Sequence, residues 1–233
     1  MTTLVLLHGW AADSRIWQRQ QEHFSPVADL QVPDLPLWEA AWLDDYLRPL
    51  PLSDTVLVGW SLGGMLALET VARMRNIPRA LVLVGVTACF CRRPDFRLGT
   101  PPALVRTMRR RLWSEPANVV HDFAELCLAP EEKLYDQEWL SLWPRPESPE
   151  FLAQGLDYLL EQDLRPWLRR LKGEVIIVHG EQDRVAPVAQ AYYLQAQIPT
   201  ARLDIYQNAG HLPFLTQADR FNALLMELVN DRG

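Results

Sequence analysis

The chain has 233 residues, a net charge of −6, 48% apolar and 22% charged residues, values ordinary for one sizeable α/β domain able to bury a large core. No stretch approaches the roughly 20 apolar residues of a membrane helix, and the opening apolar run is too short for the core of a signal peptide. Three cysteines make no even disulfide framework, and the acidic balance without a nucleic-acid module excludes a nucleic-acid binder, so a protein of the reducing cytoplasm is expected.

Leu4 to Leu7 reads as a first strand, ended at once by His8-Gly9-Trp10, where the glycine lets the backbone turn and aim an amide into a site. A second strand is expected near 29–32. Thr55 to Val58 is a third, running into Gly59-Trp60-Ser61-Leu62-Gly63. That pentapeptide is a GxSxG turn, and Met65 to Met74 follows it with apolar residues at helical spacing until Pro78. In a nucleophile elbow the chain reverses sharply between strand and helix, so the residues two before and two after the serine must be small, as Gly59 and Gly63 are. A serine there is a nucleophile only if a histidine takes its proton and a carboxylate orients that histidine.

After a fourth strand at 80–84 the alternation stops. Residues 87–167 contain no convincing strand and read as helices. Pro101-Pro102 opens one to Trp113, Ala117 to Leu128 forms another, and Ser148-Pro149 caps a third through Leu160. We expect a helical lid here, inserted into a core made of 1–86 and 168–233. Between Arg92 and Arg111 seven arginines face one acid, Asp95, so this stretch carries +6 in a chain of net −6. Arg106, Arg109 and Arg110 share one face of the first lid helix, while Leu104, Met108 and Leu112 share another. The arginine face is either a solvated helix surface or a docking site for an acidic partner, such as a phosphate-bearing or carrier-linked substrate.

Val175 to Val178 is a fifth strand, ending in His179-Gly180-Glu181-Gln182-Asp183. Asp183, just past the strand, is the expected acid, with Glu181 as the alternative. Arg202 to Tyr206 alternates as a sixth strand, and the turn-rich loop from Asn208 to Phe214 places His211 as the expected base before a C-terminal helix. The chain order Ser, Asp, His is that of the elbow motif. The N–H groups of Trp10 and Leu62 are the expected oxyanion donors, and the side chains of Trp10, Trp60, Phe90 and Leu212 the expected pocket walls. His8 and His179 read as packing or loop histidines, and His23 and His121 as helical ones without a catalytic role. Cys89, Cys91 and Cys127 lack the paired spacing of a zinc site, so neither metal nor organic cofactor is expected.

With these residues assembled, the chain resembles the α/β-hydrolase superfamily over nearly its whole length. The mainly parallel sheet flanked by helices agrees with that resemblance. Within it, the chain is most similar to the pimeloyl-acyl-carrier-protein methyl ester esterases of biotin synthesis. The shared features are His8-Gly9-Trp10, Gly59 to Gly64, Ala88-Cys89-Phe90, Gly180 to Pro187 and Ala209 to Phe214. Two departures are a start almost directly at the first strand, without a leading hairpin, and Asp34 to Trp38 without the glycines usual after Asp-Leu-Pro. The resemblance implies hydrolysis of a methyl ester on a carrier-bound dicarboxylate chain by an acyl-enzyme route, with Arg106, Arg109 and Arg110 gripping the acidic carrier. A general short-chain carboxylesterase or thioesterase, a lyase of the same fold and a non-catalytic binding protein are the alternatives, and a monomer is the expected state.

Overall fold

The computed structural model describes residues 1–135 and 148–231. Six strands pair in parallel in the order β2-β1-β3-β4-β5-β6. They are β1 (Thr3–Leu7), β2 (Asp29–Gln31), β3 (Thr55–Trp60), β4 (Ala80–Val84), β5 (Glu174–Gly180) and β6 (Ala201–Tyr206). Their apolar content sets their place in the sheet. The continuous runs of β1, β3 and β4 are buried at every position, as strands covered by helices on both faces must be. β6, which alternates in sequence, is one half-buried edge, and β2 is the other.

Two strands run beyond the lengths expected from their apolar runs, and in both cases pairing is the cause. Gly59 and Trp60 stay extended because they pair with Leu83 and Val84 of β4. His179 and Gly180 do so against Ile205 and Tyr206 of β6. From β1 the chain steps to β2 on one side and then to β3 on the other. The loops leaving the carboxyl ends of β1 and β3 therefore diverge and open a crevice, the usual ligand position in such sheets. Trp10 follows one of these strands and Ser61 the other.

Helices α1 (Gln18–Phe24), α2 (Ala40–Leu47) and α3 (Ser61–Arg73) alternate with the first four strands, while α7 (Ala189–Gln197), α8 (Pro213–Thr216) and α9 (Ala218–Asn230) accompany the last two. α2 packs on α3, and α1 on α9. α3 begins directly at Ser61, whose φ of 54° lies in the left-handed region, a conformation that disfavours a side chain by roughly 1–2 kcal/mol. The turn is held by close backbone approach. A Cβ on Gly63 would stand 2.2 Å from the carbonyl oxygen of His8, and one on Gly59 2.5 Å from the Cα of Gly64.

Between β4 and β5 lie α4 (Pro102–Arg111), α5 (Pro116–Cys127), a 3-10 segment (Pro130–Tyr135) and α6 (Pro149–Glu161). Each described α-helix of this insertion starts on a proline, whose missing N–H is no loss in a first turn, and the Ser148 hydroxyl caps α6 by accepting the N–H of Phe151. The part of the expected lid at 136–147 lies outside the described residues. α6 is tied to the core by three side chains. Trp10 Nε1 donates to the Leu152 carbonyl at 2.8 Å, Trp38 Nε1 to that of Phe151 at 3.2 Å, and the Tyr158 hydroxyl to buried Glu69 of α3 at 2.6 Å.

α4 differs from the face expected of it. Leu104 is 57% exposed, whereas Val105 and Leu112 are buried and Met108 half-buried. The helix packs on α6, and that contact turns Val105 inward and leaves Leu104 at the rim of a cavity.

Because the atom facing Gly63 is backbone, a methyl group there cannot be relieved by a rotamer change. Gly63→Ala is expected to cost about 1–3 kcal/mol or more, lowering the melting temperature by several degrees in thermal denaturation, whereas an unchanged melting curve would show that the elbow tolerates a wider turn.

Candidate active site

Ser61 opens α3 directly after β3, and loops at the carboxyl ends of β5 and β6 carry Asp183 and His211. His211 Nδ1 donates to Asp183 Oδ2 at 2.7 Å, and neither side chain is exposed. The bond fixes the tautomer: with the proton on Nδ1, Nε2 is the acceptor. His211 Nε2 is buried and unpartnered among the described residues. A buried imidazole nitrogen with no partner calls for an explanation, and a role in proton transfer is one.

Asp183 is supplied with donors from several sides. Its Oδ1 accepts the N–H groups of Val185 and Ala186, each at 2.8 Å. Its Oδ2 takes His211 and also stands 3.3 Å from His179 Nε2. Burial by itself would push the carboxyl up. The charge that His211 carries when protonated and the hydrogen bonds from His179 and His211 outweigh it and hold the group below the ordinary carboxylate range. Glu181, the alternative acid, is exposed. His179 does more than pack, since Nε2 lies 2.6 Å from the Ala186 carbonyl oxygen as well as near Asp183, bracing the acid loop. Its position at the end of a buried strand, four residues before Asp183, was the available signal.

Gly9 sits against the elbow, for a Cβ there would be 3.1 Å from that of Ser61. The loop after β1 thus reaches the serine. Leu62, second residue of α3, holds one of the amides that a helix start leaves without an i−4 carbonyl. His8 stays out of the chemistry. Its Nδ1–H donates to the Gly9 carbonyl and its Nε2 accepts from Leu35 N–H, and burial lowers its pKa, so it is neutral and holds the loop. His23 lies in α1, and His121 lies in α5 beside Glu125.

A cavity of about 430 Å³ opens on Ser61. Trp10, Phe90, Val105, Phe123, Leu156 and Leu159 line it, and Leu98, Leu104 and Leu126 form a partly exposed rim beside Arg92 and Arg184. Two expected walls are corrected. Trp60 and Leu212 are fully buried and absent from this lining. Trp60 turns away because its Nε1 donates to the His211 carbonyl at 2.9 Å and its ring packs on Phe214. The arginine face is corrected too. Arg106 and Arg110 are exposed, but Arg109 makes a two-pronged ion pair with Asp157 of α6, at 2.5 and 2.8 Å, and so fastens α4 to α6. Cys89, Cys91 and Cys127 are buried free thiols, with burial pushing Cys91 to about 11. Among the described residues no group of His, Cys, Asp and Glu could hold a metal ion, and no helix is long and apolar enough to cross a membrane.

The family model described as the alpha/beta hydrolase family matches residues 4–224. The chain is 31% identical over 235 positions to the pimeloyl-acyl-carrier-protein methyl ester esterase of Nitrosomonas europaea, with 94% of this chain and 92% of that protein covered. It is 29% identical to the protein of the same name from Aromatoleum aromaticum, with 97% of each covered. An esterase from Exiguobacterium antarcticum superposes with a TM-score of 0.87 over 99% of this chain and 92% of that one, at 22% identity.

Replacing Trp60 by Phe keeps most of the ring and removes the donor to His211. The orphaned carbonyl is expected to lower stability by about 1–3 kcal/mol in denaturant unfolding, while the relative rates on esters of different acyl length stay unchanged. A shift in acyl preference would return Trp60 to the cavity wall.

Proposed function

Because the chain belongs to the alpha/beta hydrolase family, we propose that it is a serine carboxylesterase that hydrolyses the methyl ester of a carrier-protein-bound pimeloyl chain in biotin synthesis, the activity in the names of its relatives. One observation carries the chemistry: the buried His211–Asp183 pair leaves Nε2 unpartnered among the described residues, while Ser61 lies on the wall of an apolar cavity.

In this reading the acyl chain lies along Phe90, Leu156 and Leu159 with its ester carbonyl at Ser61. Ser61 Oγ attacks the carbonyl carbon as His211 Nε2 takes the hydroxyl proton. The N–H groups of Trp10 and Leu62 receive the charge that develops on the carbonyl oxygen, where fixed donors in a dry site are worth more than water. The ionised Asp183 stabilises the imidazolium. Collapse breaks the bond to the methoxy group, which leaves as methanol with the proton from His211. Water then attacks the acyl-serine, giving its proton to His211, and Ser61 is regenerated as the free acid departs. On α4, exposed Arg106 and Arg110 face solvent and suit an acidic carrier.

Ser61→Ala and His211→Ala are each expected to lower kcat on a simple ester by about 10⁴-fold or more without unfolding the protein. Near-normal turnover in either would remove the assignment. Arg106→Glu with Arg110→Glu is expected to lower kcat/KM on the carrier-bound methyl ester by about tenfold or more, with a loss that shrinks as salt is added, and to leave dimethyl pimelate turnover unchanged. Equal loss on both substrates would assign these arginines to the folding of α4.

A further inference from the structure

Glu132 is a carboxylate only 4% exposed, in the Pro130–Tyr135 segment of the insertion, and the chemistry above makes no use of it. Its Oε2 accepts the N–H of Ala129 at 2.7 Å and that of Gly210 at 2.9 Å, and its Oε1 accepts the hydroxyl of Thr216. Ala129 follows α5, Gly210 immediately precedes His211, and Thr216 ends α8 just beyond it. One carboxylate therefore gathers the insertion and both flanks of the histidine. A second bond runs beside it, from His211 N–H to the Cys127 carbonyl at 2.7 Å. The stretch from Gln207 to Leu212 has no helix or strand of its own, and Asn208 is left-handed at φ 58°. What fixes that loop must come from outside it. Hydrogen bonds from backbone N–H to a buried carboxylate are short and strong, and leaving such donors without a partner is costly.

We propose that Glu132 is a positioning residue for His211: the insertion clasps the histidine loop and so sets where Nε2 stands relative to Ser61. The inference rests on the esterase reading, in which His211 is the base. It gives the insertion a task besides enclosing the cavity, because displacement of the 130–135 segment would release the base along with the wall. An error of about 1 Å in such a group lowers turnover by about 100-fold.

The test compares wild type, Ser61→Ala, Glu132→Ala, Glu132→Gln and Thr216→Val, using kcat and KM on p-nitrophenyl acetate and hydrogen exchange at the Gly210 and His211 amides. Glu132→Ala is expected to lower kcat by about 10–100-fold with KM within about threefold of wild type, and to speed exchange at Gly210. Glu132→Gln should recover most of kcat. Its amide oxygen can accept both backbone N–H groups, and its NH₂ can donate to the Thr216 hydroxyl, which in turn can donate to the Leu212 carbonyl 3.2 Å away. A folded Glu132→Ala protein with kcat within twofold of wild type and a still-protected Gly210 amide would overturn the proposal. So would a Gln variant as impaired as Ala. If Glu132→Ala does not fold, Thr216→Val takes its place: a severalfold fall in kcat at constant KM supports the clasp and an unchanged kcat overturns it. Turnover that survives Ser61→Ala would remove the esterase reading instead, and amide exchange alone would then decide the clasp.

Discussion

The close approach of the first turn of α3 to the end of β1 is the constraint on which the rest of the molecule depends. With the His8 carbonyl lying where a Cβ of Gly63 would be, the two strand ends sit as near to one another as backbones allow. That proximity forces Ser61 out of ordinary backbone conformations and brings the loop carrying Trp10 against the serine. The strain is local and modest. It is overcome by the burial of β1, β3 and Leu62 to Ala72 of α3. His8 contributes from beneath as a neutral double-ended brace, joining Gly9 to Leu35.

On this frame the functional groups are fixed by hydrogen bonds that cross between elements. Asp183 is turned by two amides of its own loop and by His179. Trp60, next to the serine, holds the His211 carbonyl from the opposite side. The insertion enters the same web through Trp10, Tyr158 and Glu132, each a polar contact from an otherwise buried side chain. Burial raises the pKa of Tyr158, with the Glu69 charge adding to it, so the phenol stays protonated and remains a donor to α3. Wall and core are thus joined by directional bonds as well as by apolar packing, which restricts their relative orientation more than packing alone would.

The parts that could be read from the sequence are those whose signals are local. Continuous apolar runs marked β1, β3, β4 and β5, because a strand buried on both faces has little choice of residue, and alternation marked the half-buried β6. The pentapeptide around Ser61 carried its own turn geometry, and Asp183 and His211 stood out through strand-end positions and chain order. Side-chain direction was not readable in the same way. Trp60 could face the cavity or the histidine loop, and a hydrogen bond to a residue 151 positions away decides it. Arg109 looked like its neighbours Arg106 and Arg110 until α6 brought Asp157 alongside. Leu104 shared a helical stripe with Met108 and Leu112, but contact with α6 favoured Val105. Glu132 had no sequence signal at all, for its partners lie up to 84 positions further on.

The placement of the insertion between β4 and β5 also bears on the order in which the molecule assembles. A chain emerging from the ribosome first delivers β1, β3 and the serine turn, all of which pair within the opening 84 residues. Asp183 and His211 come only after the whole of 85–173 has been made, once β5 docks at long sequence separation against β4 and β6 then pairs with β5. Such late, distant pairing is slow. During that interval the nascent protein presents the strained Ser61 without Asp183 or His211, so under the proposed mechanism it would have no means of cleaving an ester until synthesis is nearly complete.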